Sequence, residues 1–108
     1  MLQCDQRFSK DNKNGSNLPV FEGFFVVKND KGLHTRPSTE LVKCSCKFNS
    51  KINLILDDTV VNAKSILGIL MLAACKGSKI LVEAQGEDAK EAVEAIQKLS
   101  DQKFHIDY

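Results

Sequence analysis

Phe24-Phe25-Val26-Val27 is a short apolar, aromatic and β-branched run that stops at Asn29-Asp30-Lys31-Gly32. That pattern predicts a first strand and a turn. At Pro37 the period changes: Pro37, Leu41, Cys44 and Phe48 fall at i, i+4, i+7 and i+11, the spacing of one helical face. Pro37 suits a first helical turn, where a missing N–H has no intrahelical partner to lose. Ile52, Leu54 and Leu56 then alternate with Asn53 and Ile55, and Asp57-Asp58 turn the chain into an antiparallel return over Thr59–Ala63. Ser65 predicts the N-cap of a short helix through about Met71. Lys79–Glu83 reads as another strand after the Gly77 break.

The final segment is the clearest helix. Ala89, Ala92, Val93, Ile96 and Leu99 mark its buried face, Asp88 and Glu91 form a capping-box pattern, and Glu94 and Lys98 are spaced to pair. The order β-α-β-β-α-β-α is of the α+β class. Its economical architecture is an open-faced β-sandwich, a four-stranded antiparallel sheet with three helices on one face.

Residues 1–19 fit none of these periods. Ser9 to Asn17 is polar and rich in turn formers, so 1–19 is expected to be a flexible tail and 20–108 the folded domain. The whole chain, at 108 residues, has room for one core. Its formal net charge is +1, which argues against a nucleic-acid partner, whose binders gather basic excess on one face. The longest apolar stretch, Ile66 to Cys75, is far below the roughly 20 residues that span a bilayer. The N-terminus shows no apolar core of a secretory signal, so neither membrane insertion nor export is expected. Cys44 and Cys46 are two apart, a spacing of neither a redox pair nor a zinc knuckle. The cysteines, Cys4 and Cys75 included, read as small hydrophobes in a reducing compartment, and no metal site is expected.

The segment that can carry chemistry is Gly32-Leu33-His34-Thr35-Arg36-Pro37. It sets an imidazole beside a predicted helix start, where backbone N–H groups, here those of Thr35 and Arg36, favour an anion. Arg36 adds a delocalised positive charge within reach of the same anion. At its ordinary pKa of about 6.5 an imidazole is mostly neutral near pH 7 and can act as a nucleophile. Read from these residues alone, the segment also describes an exposed loop histidine beside a solvated arginine. His105 lies in a C-terminus expected to fray, with no helix start beside it, and reads as surface.

GLHTRPSTELVK (Gly32 to Lys43) resembles the active-site segment of the histidine-containing phosphocarrier (HPr) family of the phosphoenolpyruvate-dependent sugar phosphotransferase system. NAKSILGIL (Asn62 to Leu70) is similar to the family's second signature, and GEDAKEAVEAIQKL (Gly86 to Leu99) to its last helix. The resemblance implies that His34 is the phospho-acceptor, through Nδ1, with Arg36 as the active-site arginine. It also implies that Ser65 is a regulatory site for an HPr kinase/phosphorylase, a role that can coexist with that of N-cap. Ile66, Leu67 and Leu70, with Lys43, would form the docking surface. Enzyme I would donate and IIA proteins accept, so the chain would be a cytoplasmic carrier without a cofactor, not an enzyme, and is expected to be a monomer.

The chain departs from the family pattern in places. Ala73 stands where many relatives carry glycine, and Cys46 and Gly68 occupy positions that hold lysine in the enteric type. Three other readings stay open at this level: a carrier in a nitrogen-regulatory branch, a small-molecule regulatory domain in which His34 binds a ligand, and an enzyme with a covalent phosphohistidine. The last would need a general base and a substrate pocket, and no second catalytic constellation is visible in the sequence.

Overall fold

A computed structural model of the chain describes residues 19–106. The expected tail therefore lies outside the described residues, apart from Pro19. The strands are β1 (Val20–Val26), β2 (Lys51–Leu56), β3 (Thr59–Asn62) and β4 (Lys79–Gln85). The helices are α1 (Thr35–Ser45), α2 (Ile66–Met71) and α3 (Ala89–Asp101), followed by a 3-10 turn over Lys103–His105. All pairings are antiparallel, in the sheet order β1-β4-β2-β3. This is the expected four-stranded open-faced sandwich.

Alternation decides which side of the sheet is covered. Phe25, Ile52, Leu54, Ile80, Val82 and Ala84 point under the helices and are buried with Leu41, Val93 and Ile96. Gly23 lets α3 come close to β1: a Cβ there would sit 2.8 Å from Val93 Cγ1 and 2.7 Å from Gln97 Nε2. Gln97 Nε2 in turn donates to the Phe24 carbonyl (3.0 Å).

Several local expectations are corrected. Helix α1 stops at Ser45, so Phe48 packs on the core from the loop beyond it rather than from the helical face. Asp88 precedes α3 without a side-chain cap bond. Its carboxylate instead accepts the N–H groups of Asn49 and Ser50 (2.9 Å each) and the Ser50 hydroxyl. A carboxylate that can satisfy three donors across the molecule gains more than one that caps its own helix. Glu94 and Lys98 do not form the expected ion pair; the pairs among the described residues include Lys28–Asp101, Lys43–Glu40 and Lys76–Asp30.

The chain end near His105 is pinned rather than frayed. Phe104 is fully buried and meets Phe25 edge-on, with ring centroids 5.8 Å apart. Asn29 Nδ2 donates to the carbonyls of Lys103 and Ile106. These contacts hold Lys103, Phe104 and His105 in the left-handed region, with φ of 55°, 55° and 63°, which L-residues adopt at a cost of about 1–2 kcal/mol each. His105 itself is exposed, as expected. Cys44 and Cys75 are free thiols. Cys46 is disulfide-bonded, so the reading of every cysteine as reduced does not hold for it.

Candidate functional site

His34 is the N-cap residue of α1, with extended backbone (φ −79°, ψ −168°), and its side chain makes no cap hydrogen bond. Its carbonyl accepts the Ser38 N–H at 3.0 Å, which closes the first helical turn. The N–H groups ahead of that turn have no helical carbonyl to bond. Pro37 has none to offer, so the first-turn donors of α1 are those of Thr35 and Arg36. No acidic residue occupies the first turn. The positive end of the helix dipole and these donors lie at the residue that carries the half-buried imidazole, and Arg36, two positions on, is exposed.

Three contacts aim His34. Gly32 adopts φ 70°, and a Cβ there would lie 2.2 Å from the Ala74 carbonyl oxygen. The close approach lets the Leu33 N–H donate to that same oxygen at 3.0 Å, while the Leu33 side chain is buried in the core. The hydroxyl of Ser38, wholly buried, donates to the Leu33 carbonyl at 3.1 Å. Ser38 carries no functional signal in the sequence, since its role depends on a fold-back contact at helix entry.

The Ala74 contact also ties the His34 loop to the end of α2. Of the expected docking residues, Leu67 is 49% exposed, and Ile66 and Leu70 are half-buried. Ile69 is fully buried, and Met71 is the most open of the large apolar side chains among the described residues, at 77%. Met71 was foreseeable only as one residue of an almost wholly apolar helix, because periodicity alone cannot orient such a helix. Ser65 caps α2, accepting the Gly68 N–H at 3.2 Å. It stands at the opposite end of the helix from Ala74, separated by six helical residues, roughly 9 Å. The structure thus joins His34, Arg36 and the C-terminal end of α2, and leaves Ser65 across the apolar patch. Lys43 is exposed on α1 and reaches Glu40 at 3.5 Å.

Beneath the patch, Lys64 is buried and its ammonium donates to the Phe48 carbonyl at 2.7 Å. Burial pushes its pKa down, and the nearby Asp88 carboxylate partly offsets that. Burial pushes the Asp88 carboxyl up, but the hydrogen bonds from Ser50 Oγ and the N–H groups of Asn49 and Ser50 outweigh it and hold the group below its ordinary value. Burial also raises the Cys44 thiol, keeping it protonated and unreactive. Among the described residues, no group of three or more His, Cys, Asp and Glu side chains could hold a metal ion, and no helix is long and apolar enough to cross a membrane.

An open-faced sandwich of this topology is the architecture of the small phosphocarrier proteins. Residues 22–102 match the family model for the PTS HPr component phosphorylation site, and the chain belongs to that family. It is accordingly a phosphocarrier of the PTS and not a catalytic enzyme. The phosphocarrier protein HPr of Xylella fastidiosa is 39% identical over 88 residues, covering 82% of this chain and 99% of the relative. The multiphosphoryl transfer protein of Haemophilus influenzae is 44% identical over 79 residues, 70% of this chain, and the match spans only 16% of that protein's length. Among solved structures, HPr-C-His from Thermoanaerobacter tengcongensis superposes with a TM-score of 0.77 at 38% identity, over 82% of this chain and 99% of that one.

Proposed function

We propose that His34 accepts a phosphoryl group from phosphorylated enzyme I and passes it to IIA-type proteins that serve sugar uptake. The observation that carries this reading is the N-cap position of His34, with no side-chain cap bond and no acid in the first turn. In the transfer, the lone pair of neutral imidazole Nδ1 attacks phosphorus while the bond from phosphorus to the donor breaks. Nε2 keeps its proton, so none has to be removed. The phosphoryl oxygens then meet the Thr35 and Arg36 N–H groups, and the Arg36 guanidinium offsets their charge. Transfer to the acceptor is the same displacement run outward. Such chemistry suits a cytoplasmic protein, where phosphoenolpyruvate is available.

The test is labelling with enzyme I and radioactive phosphoenolpyruvate. A phosphoramidate is acid-labile and alkali-stable, so the label is expected to vanish on mild acid treatment. His34→Ala should remove it with the fold intact, and His105→Ala should leave it unchanged. Persistent labelling of His34→Ala would overturn the assignment.

Ser65 fits a regulatory phosphosite for an HPr kinase/phosphorylase. Its oxygen already faces the helix N-terminus, accepting from Gly68, and it borders the exposed apolar surface of α2.

A further inference from the structure

The helices cover one side of the sheet, and the other side is not uniformly polar. Cross-strand register places Phe24 opposite Leu81, Leu81 opposite Ile55, and Ile55 opposite Val60. These four form an apolar row across all four strands on the open face. Phe24 is 52% exposed and Val60 57%, with Leu81 and Ile55 half-buried between them, and Val26 extends the patch along β1. A contiguous exposed apolar patch with an aromatic at one end marks an interaction surface.

On β1 and β4 the charges next to the row differ in sign on its two sides, and Lys51 lies one row farther out on the acidic side. On one side Glu22 stands directly opposite Glu83, a like-charge cross-strand pair that destabilises a sheet. Neither has an ion-pair partner among the described residues. On the other side lies Lys79, paired with Val26 in the register, its ammonium 4.0 Å from the centroid of the Phe24 ring. A two-fold axis laid along the apolar row stacks a second copy face to face. It sets Phe24 and Leu81 against their own counterparts and reverses the strand direction. Glu83 of each copy then meets Lys79 of the other, twice by symmetry, and Glu22 lies beside the same lysine.

We propose that the open sheet face is a self-association surface on which a second copy of this chain docks, closing the open sandwich into a two-layer dimer. The occupant is a second copy because the face is complementary to itself about the row: apolar side chains on the axis, with Glu83 and Lys79 of β4 at equal distances on either side of Leu81. With strands about 4.8 Å apart and facing rows about 6.8 Å apart, the patch covers roughly 400 Å² per copy. That is at the small, transient end of protein interfaces, so the dimer forms reversibly with concentration. It leaves the helical side, with His34 and α2, facing outward on both copies, and does not depend on the role assigned to His34.

Sedimentation velocity of the full chain from about 20 µM to 1 mM at low salt tests this. The sedimentation coefficient should climb from monomer toward dimer. Glu83→Lys and Lys79→Glu should each weaken association by about tenfold or more, and the double reversal should restore it to within about threefold. Val60→Asn, at the far end of the row, should also weaken it, with a melting temperature within a few degrees of the parent confirming the fold. A monomer at every concentration overturns the proposal, as does a dimer indifferent to both charge reversals. If removal of residues 1–18 shifts the amide resonances of Phe24, Leu81 and Ile55 in a monomer, the tail is the occupant and the second copy is not.

Discussion

His34 and Asp88 both stand at the N-cap of a helix, and they use the position in opposite ways. The His34 side chain leaves its cap bond unmade, while Asp88 turns its carboxylate away to hold Asn49 and Ser50. The sequence distinguished them only through the GLHTRP motif. Nothing in local spacing marks Asp88 as a cross-molecule tether, because its partners lie 38 and 39 residues away. At this scale Arg36→Ala is expected to slow transfer to His34 by tenfold or more, a loss of at least about 1.4 kcal/mol of transition-state stabilisation. The exposed guanidinium adds little to folding, so the melting temperature should not move; rapid-quench phosphorylation beside a thermal melt checks both. A wild-type rate would remove Arg36 from the site. Ala73 offers a contrasting test, since it follows α2 with φ 52°, in the left-handed region that favours glycine. Relief of left-handed strain, about 1–2 kcal/mol, exceeds the extra unfolded-state entropy of glycine, about 0.4–1 kcal/mol. Ala73→Gly should therefore raise stability by up to about 1 kcal/mol in urea titrations.

At the scale of elements, α2 shows how far a hydrophobic pattern reaches. Capping preference placed the Ser65 cap and the apolar run the helix, and the resemblance named Ile66, Leu67 and Leu70, of which Leu67 is exposed. Leu70 was named and Met71 was not, although Met71 is the more open, because six residues without a polar face contain no directional signal; the packing of Ile69 into the core decides the rotation. Docking through this helix should therefore weaken most in Leu67→Lys and Met71→Lys, measured as a rise in enzyme I KM with the melting temperature unchanged. Phosphorylation of Ser65 belongs to the same element. It adds roughly −1.5 to −2 charges at a helix N-terminus, where the dipole and the N–H groups favour them. The fold should keep or gain stability. A partner burying the apolar patch would have to desolvate those charges, and a transient interface has little energy to spare for that. Phosphoserine at position 65 should thus slow phosphorylation of His34 while the melting temperature holds or rises. Equal acceptance rates in both forms would leave Ser65 as a cap alone.

Across the whole molecule, the alternation of periods specified the element order and the antiparallel sheet, but not what holds the loop between α1 and β2. That loop is clamped from two sides: Lys64 bonds the Phe48 carbonyl, and Asp88 gathers Asn49 and Ser50. A buried lysine and a misdirected N-cap look unrelated in the sequence, and only the tertiary fold brings them to one segment. The clamp gives stability a definite pH dependence. Hydrogen bonding holds the Asp88 carboxyl below its ordinary value of about 3.9, so the unfolded chain takes up that proton first as pH falls. The stability Asp88 contributes is fully present above the unfolded-state value and is lost as pH drops through the depressed folded one. Lys64 has the same sign, since its lowered pKa makes the folded state gain as pH rises toward the alkaline range. Asp88→Asn keeps the shape but turns one of the two accepting oxygens into an NH2 donor, so the N–H of Asn49 or of Ser50 loses its acceptor and the bonds that remain are neutral. It should cost about 1–2 kcal/mol at pH 7. At a second, strongly acidic pH below that depressed folded-state value, where the parent carboxyl has itself taken up its proton, the difference should shrink toward zero. Urea titrations of parent and variant at both pH values measure the two gaps, and a constant gap would show that Asp88 holds the loop by shape rather than by charge.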